Sequence, residues 1–397
     1  MIRSAILASC LAGCLAAALA GCGAAVTIPR TDPTRVDAMR AEPLERLGED
    51  RISLHWKFVT ADRRTEVEPQ EFAQAAVAGD TIYIGSASGM FYALRATTGA
   101  LRWRKKIGAV SSAPVPAGGL LYIGTADGAL VVLDAQTGAE RWRYQSRGPI
   151  QQAPVVTSDL VVFSNEADQV VAVDAITGKF KWQYKGETPE EYTLRGHAGV
   201  ALDGDLVYTG FSNGTLVALR KDSGSVAWST SLRAEADRFM DVDATPIVVE
   251  GRVYASSSSG GVYALDKTTG LIRWRMPFWD AALPGATGNV GGLATDGKSM
   301  IYVNVADLGT YALDLGGNVV WRVGGRGGGE PAQPVIWNEL LLYSLANDGL
   351  FVADRKTGAT LEYFDPGDGI SARPTVTPSG QLLVMSNRGI LYSFDLE

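Results

Sequence analysis

Short apolar runs separated by turn residues fill most of this chain, and their spacing is that of β-structure. Leu121–Leu133 is representative: alternating and continuous apolar residues flank a Gly-containing turn, the pattern of a tight hairpin. After each such hairpin comes a second turn, in which Thr-Gly is followed, after three intervening residues, by an aromatic. Phe91–Trp103 is the first copy, and further copies end at Trp142, Trp182, Trp228 and Trp274. Two degraded copies end at Trp321 and Tyr363, making seven. The steps between the aromatics are 39, 40, 46, 46, 47 and 42 residues, a period that marks a repeat architecture.

A unit of that length holds about four short antiparallel strands, which is one propeller blade. In the Thr-Gly turn the Gly supplies a positive φ and Asp or Thr bonds the turn backbone. The Trp of the outermost strand is expected to bury its ring between neighbouring blades, a framework role and not a catalytic one. The two ends of the chain complete the count. Leu382–Phe394 supplies an inner hairpin and stops before any Thr-Gly or Trp, while Ile52–Phe58 is a lone strand carrying Trp56. Pairing them removes the exposed sheet edges of an open array. The expected fold is all-β: an eight-bladed propeller of four-stranded antiparallel blades over residues 51–397, the last blade closed by the amino-terminal strand.

Residues 1–50 read differently. Arg3, the short apolar stretch Ala5–Ala20 and Leu19-Ala-Gly-Cys22 resemble the signal and lipobox of bacterial lipoproteins, in which the Cys becomes the lipid-carrying amino terminus. Leu11-Ala-Gly-Cys14 has the same letters but would leave too short an apolar core. Residues 1–21 are accordingly expected to be a signal peptide, Cys22 the lipid attachment site, and 22–50 a tether with a brief helix near Val36–Leu47. Gly23 stands where Asp would retain a lipoprotein at the inner membrane. The resemblance therefore implies an outer-membrane anchor facing the periplasm. As a retained membrane helix the stretch is short of the roughly 20 apolar residues required.

Chemistry is sparse. Cys10, Cys14 and Cys22 all precede the propeller, so it has neither a disulfide nor a thiol metal site. His55 and His197 stand far apart in the sequence, and no Gly-x-Ser-x-Gly accompanies them. Gly324–Gly329 lacks the Gly-Lys-Ser/Thr of a phosphate loop and reads as an inter-blade connection. A net charge of −7 argues against a nucleic-acid partner. The expectation is a non-enzymatic protein without cofactor or metal.

The Tyr-x-Leu-Asp-x-x-Thr-Gly-x-x-x-Trp signature resembles the repeat of pyrroloquinoline-quinone-type propellers across nearly everything after Arg51. In enzymes of that kind a quinone and a calcium ion occupy the central funnel, often beneath a vicinal disulfide. The Cys pair and the large insertions are missing here, so the repeat implies the fold and leaves a periplasmic quinoprotein oxidoreductase, or a ligand-binding propeller lipoprotein, as alternatives.

Two long inter-blade connections, Gln183–His197 and Ser229–Pro246, should emerge side by side on one face. Loops carry function more often than strands do. Their Leu194-Arg195-Gly196 and Asp241-Val-Asp-Ala-Thr-Pro246 resemble loop motifs of the BamB family, lipoprotein propellers of the bacterial outer-membrane β-barrel assembly machine. That resemblance implies that Tyr192, Leu194, Arg195, Asp241 and Asp243 help bind a POTRA domain of a BamA-like barrel subunit, with other assembly-complex lipoproteins as further partners. Tyr192 stands where the family often has Leu. The residues themselves support such a patch: in extended chain Tyr192 and Leu194 point one way, as do Asp241 and Asp243, giving an apolar anchor beside charge. Arg195 bridging to Asp241 or Asp243, holding the loops in shape, is the compatible alternative.

Overall fold

The computed structural model describes residues 51–61, 66, 69–187, 198–233, 241–257, 261–278, 290–306, 308–324 and 329–397. These form eight four-stranded antiparallel sheets, with no helix among the described residues. The first blade runs Ala76–Ala78, Thr81–Ile84, Met90–Arg95 and Leu101–Lys106, from innermost to outermost strand. The innermost strands of successive blades neighbour one another and form the inner ring.

Burial follows from that stacking. The two middle strands of a blade are covered on both faces by adjacent blades and read as unbroken apolar runs; Leu130–Leu133 is fully buried. The outermost strand Glu140–Gln145 instead alternates exposed and half-buried residues. Each hydrophobic cluster is shared between two blades: Tyr83, Phe91 and Ala93 of the first pack with Leu121, Ile123 and Val131 of the second. No blade has a core of its own.

The Thr-Gly and Trp signals meet across the blade boundary. The Trp of each outer strand lies flat beneath the Gly turn of the next blade, pairing Trp56 with Gly99, Trp103 with Gly138, and so on to Trp321 with Gly358. A β-carbon at Gly99 or Gly138 would lie 2.7 Å from the indole, and both glycines have positive φ, 67° and 70°. Six of the seven indoles also donate to a backbone carbonyl near that turn, such as Trp56 Nε1 to Ala96 O at 3.0 Å. The exception is Trp142, whose Nε1 is buried without a bond, although the Tyr122 hydroxyl donates to Ala175 O at 3.0 Å as its counterparts do in other blades.

The eighth blade closes as expected. Its three strands Thr375–Val376, Gln381–Met385 and Ile390–Leu396 are completed by the amino-terminal strand Ile52–Val59, in a register running from Ile52 opposite Leu396 to Val59 opposite Ile390. Thr60 secures the strand end, its N and Oγ1 both donating to Gly389 O at 2.8 Å.

One aromatic position differs from the sequence reading. In the first blade Ala93 pairs with Trp103 and, past a bulge, Leu94 pairs with Leu101; in the seventh, Val352 pairs with Glu362 and Ala353 with Thr360. Glu362, not Tyr363, therefore occupies the tryptophan position. The physical reason lies next door. The third and outer strands of the eighth blade come from opposite ends of the chain, so no Thr-Gly turn joins them and an indole at 362 would have nothing to lie against. Glu362 Oε2 instead accepts the Arg51 amide at 3.2 Å, while Tyr363 packs at a tilt against Phe351 and bonds Asp348.

Candidate functional site

The two interruptions flank the fourth blade, whose strands are Ala201–Asp203, Leu206–Gly210, Thr215–Arg220 and Val226–Ser231. Its middle hairpin turn, Phe211–Gly214, is the platform on which both connections converge. From the third-blade side, Gly186 lies against the Phe211 ring, and a β-carbon there would be 2.5 Å from it. Asp168, held in the left-handed region at φ 54°, accepts from Ser212 Oγ at 2.6 Å and Ser212 N at 3.2 Å. Tyr184 meets Phe211 edge-on at 5.6 Å, and burial first, then the Glu187 charge, pushes its phenol above the ordinary value.

From the fifth-blade side the chain is seated as firmly. Leu232 N donates to Gly214 O at 2.8 Å, Arg233 Nε to Asn213 O at 2.8 Å, and Tyr263 Oη to Leu232 O at 2.7 Å. Val242 is fully buried and packs on Gly210, where a β-carbon would meet its Cγ1 at 2.3 Å; its amide reaches Phe211 O at 3.3 Å. Further along, Thr245 Oγ1 accepts the Gly199 amide at 3.1 Å and ties the connection to the inner ring.

Of the residues singled out in the sequence, Asp241 and Asp243 lie on this platform. Asp241 is 2% exposed and Asp243 half-buried, and both residues make further interactions. Alternation along Asp241-Val242-Asp243 is thus interrupted, because Val242 plugs the gap above Gly210 and takes the flanking residues down with it. Tyr192, Leu194, Arg195 and Cys22 lie outside the described residues, as do His197 and the tether helix. Sequence reading missed Val242, Phe211 and Gly210, which seat the acidic segment; the small residue ending the second strand was the available signal.

The chemistry of the described residues is limited. None of their His, Cys, Asp and Glu side chains form a group of three or more placed to hold a metal ion. His55 faces Asp395 on the outer strand pair, Nδ1 to Oδ2 3.6 Å, away from the platform. The described part of the site is a packed, hydrogen-bonded shelf.

Comparison with known proteins concerns the family and the fold. The sequence profile of a family described as outer membrane protein assembly factor BamB matches residues 53–130 and 108–323, a span that includes the whole platform. Outer membrane protein assembly factor BamB of Salmonella typhimurium is 27% identical over 215 residues, 51% of this chain and 50% of that protein. The Escherichia coli protein of the same name is 27% identical over 216 residues, with the same coverage. The chain thus spans about half the length of these relatives. Among solved structures, BamB from Moraxella catarrhalis superposes with a TM-score of 0.71 at 20% identity, covering 87% of this chain and all of that one. Quinohemoprotein alcohol dehydrogenase from Comamonas testosteroni gives 0.64 at 16% identity, covering 87% and 76%. At those identities the structural likenesses concern the fold alone.

Proposed function

Because the chain belongs to the outer membrane protein assembly factor BamB family, we propose that it serves as a non-enzymatic scaffold in assembling β-barrel proteins at the outer membrane. It is anchored there through lipid on Cys22, after removal of residues 1–21, with 22–50 as a tether and the propeller from 51 onward facing the periplasm. Its partner is the POTRA region of a BamA-like barrel subunit, and the platform of the fourth blade with the connections around it is the docking face. The observation that carries this reading is the family match over residues 53–130 and 108–323, the second of which spans both connections and the turn they rest on.

The burial of Asp241 divides the labour among the five residues. A carboxylate 2% exposed contributes to a partner mainly by shaping the segment that carries it. Contact then falls to Tyr192, Leu194 and Arg195, with Asp243 at the margin. A rigid shelf loses little conformational entropy on association, which favours tight binding from a modest area.

The deciding experiment is co-purification with a POTRA-containing barrel subunit from native membranes. The subunit should be recovered with the unmodified protein and lost with Leu194→Ala or Arg195→Glu, both still folded by circular dichroism. Full recovery with both variants sinks the assigned face, and absence of any barrel subunit sinks the scaffold role.

A further inference from the structure

The seam where the eighth blade meets the first is built differently from most others, and the difference opens a pocket. In blades one, two, four and five a tyrosine of the second strand reaches across the boundary. Tyr83, Tyr122, Tyr208 and Tyr254 each donate a hydroxyl to a carbonyl in the outer turn of the next blade, at 3.0–3.3 Å. Strand register puts Leu383 at the equivalent place in the eighth blade, since Thr375 pairs with Leu383 as Val115 pairs with Tyr122. The carbonyl in question, Ala96 O, accepts instead from Gln381 Nε2 at 2.8 Å. Gln381 stands two residues earlier on the same face of the strand, where blades two, three, four and seven carry Leu. The first turn of the eighth blade is also longer. Thr377 N donates to Gln381 O with Pro378-Ser379-Gly380 between them, whereas Gly79-Asp80 alone joins Ala78 to Thr81.

A phenol ring is thereby removed from the seam and a turn is raised beside it. The pocket between them has a volume of about 670 Å³, within the range of small-molecule sites. Its walls are tied down: Thr375 Oγ1 donates to Ala75 O across the seam at 2.8 Å, and Gln381 Nε2 also bonds Ser393 Oγ at 2.9 Å. Asp80, on the opposite wall, is positioned by Arg102, whose Nη2 lies 2.6 Å from Oδ2 and 3.1 Å from the Asp80 carbonyl. Three oxygens of lining residues are left over. Asp80 Oδ1, Gln381 Oε1 and Thr97 Oγ1 make no hydrogen bond with any described residue, and Val77, Val376 and Pro378 add apolar surface to the same lining.

We propose that this pocket binds a neutral sugar, one or two rings of a glycan. Among the described residues that line it there is no Lys, Arg or His, which disfavours an anion. Arg102 offsets its one carboxylate, which disfavours a cation. Leftover oxygen acceptors call for a ligand rich in O–H donors, and a carboxylate held in place by an arginine offers one of them a charge-assisted bond. The apolar lining suits the C–H faces of a pyranose. Because strands alternate in direction, the pocket lies at the end of the blades that carries the first turns, opposite the end that carries Phe211–Gly214. A sugar there does not compete with the docking face, and the proposal does not depend on it.

The test is saturation-transfer NMR on the full mature protein with maltose and, separately, with N,N′-diacetylchitobiose, the pair showing whether acetamido groups are part of what is recognised. Saturable transfer to at least one disaccharide is expected. Thr97→Trp, at an exposed position in the lining, should abolish it without disturbing the fold. Gln381→Leu, which restores the side chain of four other blades, should weaken binding about tenfold or more through loss of a buried-edge hydrogen bond. No transfer to either disaccharide overturns the proposal, and so does transfer that survives Thr97→Trp, whatever Gln381→Leu does.

Discussion

Trp56 lies against Gly99, so the first strand of the propeller docks not only on the last blade, whose sheet it completes, but also under the turn of the first. The same contact recurs at seven of the eight blade boundaries. It accounts for a repeat in which Gly and Trp are tied to one another even though, within one repeat, they never touch. Each residue answers to its counterpart in the neighbouring unit.

Substituting the glycine should separate conformational from steric cost. Gly138 and Gly118 both have positive φ, 70° and 56°, but a β-carbon at Gly118 meets nothing within 4 Å whereas at Gly138 it meets Trp103 at 2.7 Å. Gly118→Ala should cost about 1 kcal/mol for the left-handed backbone alone. Gly138→Ala should cost roughly 2–4 kcal/mol, adding the clash with a ring that cannot retreat. Urea denaturation of the two variants side by side gives the difference; equal midpoints would refute the docking account.

Asn387 is a latch across three blades. Its Oδ1 accepts from Glu71 N at 3.3 Å and Ser371 N at 3.0 Å, and its Nδ2 donates to Ala346 O at 2.8 Å and Asp368 O at 3.0 Å. Asn387→Ala strands these buried groups and should destabilise by on the order of 3 kcal/mol. Asn387→Asp, which keeps the shape but loses the donor, should be nearly as harmful, and calorimetry on both variants checks it.

The boundary between blades seven and eight rests on Glu362 where the others rest on an indole. Glu362→Ala should weaken the seam by about 1–3 kcal/mol through loss of a hydrogen bond to a charged acceptor. Amide exchange in Ile52–Val59 should accelerate more than in Leu101–Lys106, whose Trp103 contact is intact. Uniform acceleration across both strands would contradict a local seam.

Acid should loosen the outer turns before neutral pH does anything to them. Asp134 is held down to about 2, chiefly by the Arg141 guanidinium and then by Thr137; Asp174 is held down to about 2 by Thr177 and then by Lys181. Because the folded pKa lies below the unfolded value of about 3.9, their contribution is complete above pH 4 and is lost as pH falls toward 2. Tm measured from pH 5 to pH 2 should drop over that window, with a shallower slope in Asp134→Asn.

Much of this was written in the sequence. Blade number, closure by Ile52–Val59 and the positive φ of the Thr-Gly turns all follow from local patterns repeated often enough to be counted. Tyr363 shows the limit. An aromatic one place late passes for a degraded copy until strand register assigns its position to Glu362, and register is set by the bulge at Val352/Ala353 and by what the next blade offers. The burial of Asp241 was hidden for a related reason: it depends on Val242 fitting over Gly210, thirty-two residues upstream in another strand.

Pairing Ile52 with Leu396 joins residues 344 positions apart. A strand made at the start of the propeller must wait for nearly the whole remaining chain before its partner exists, and until then Trp56 and Phe58 have only one of their two neighbours. Ring closure is thus the most non-local event in folding, and a late one. A chaperone or membrane-bound neighbour that shields the waiting strand would act on folding speed without touching the finished ring.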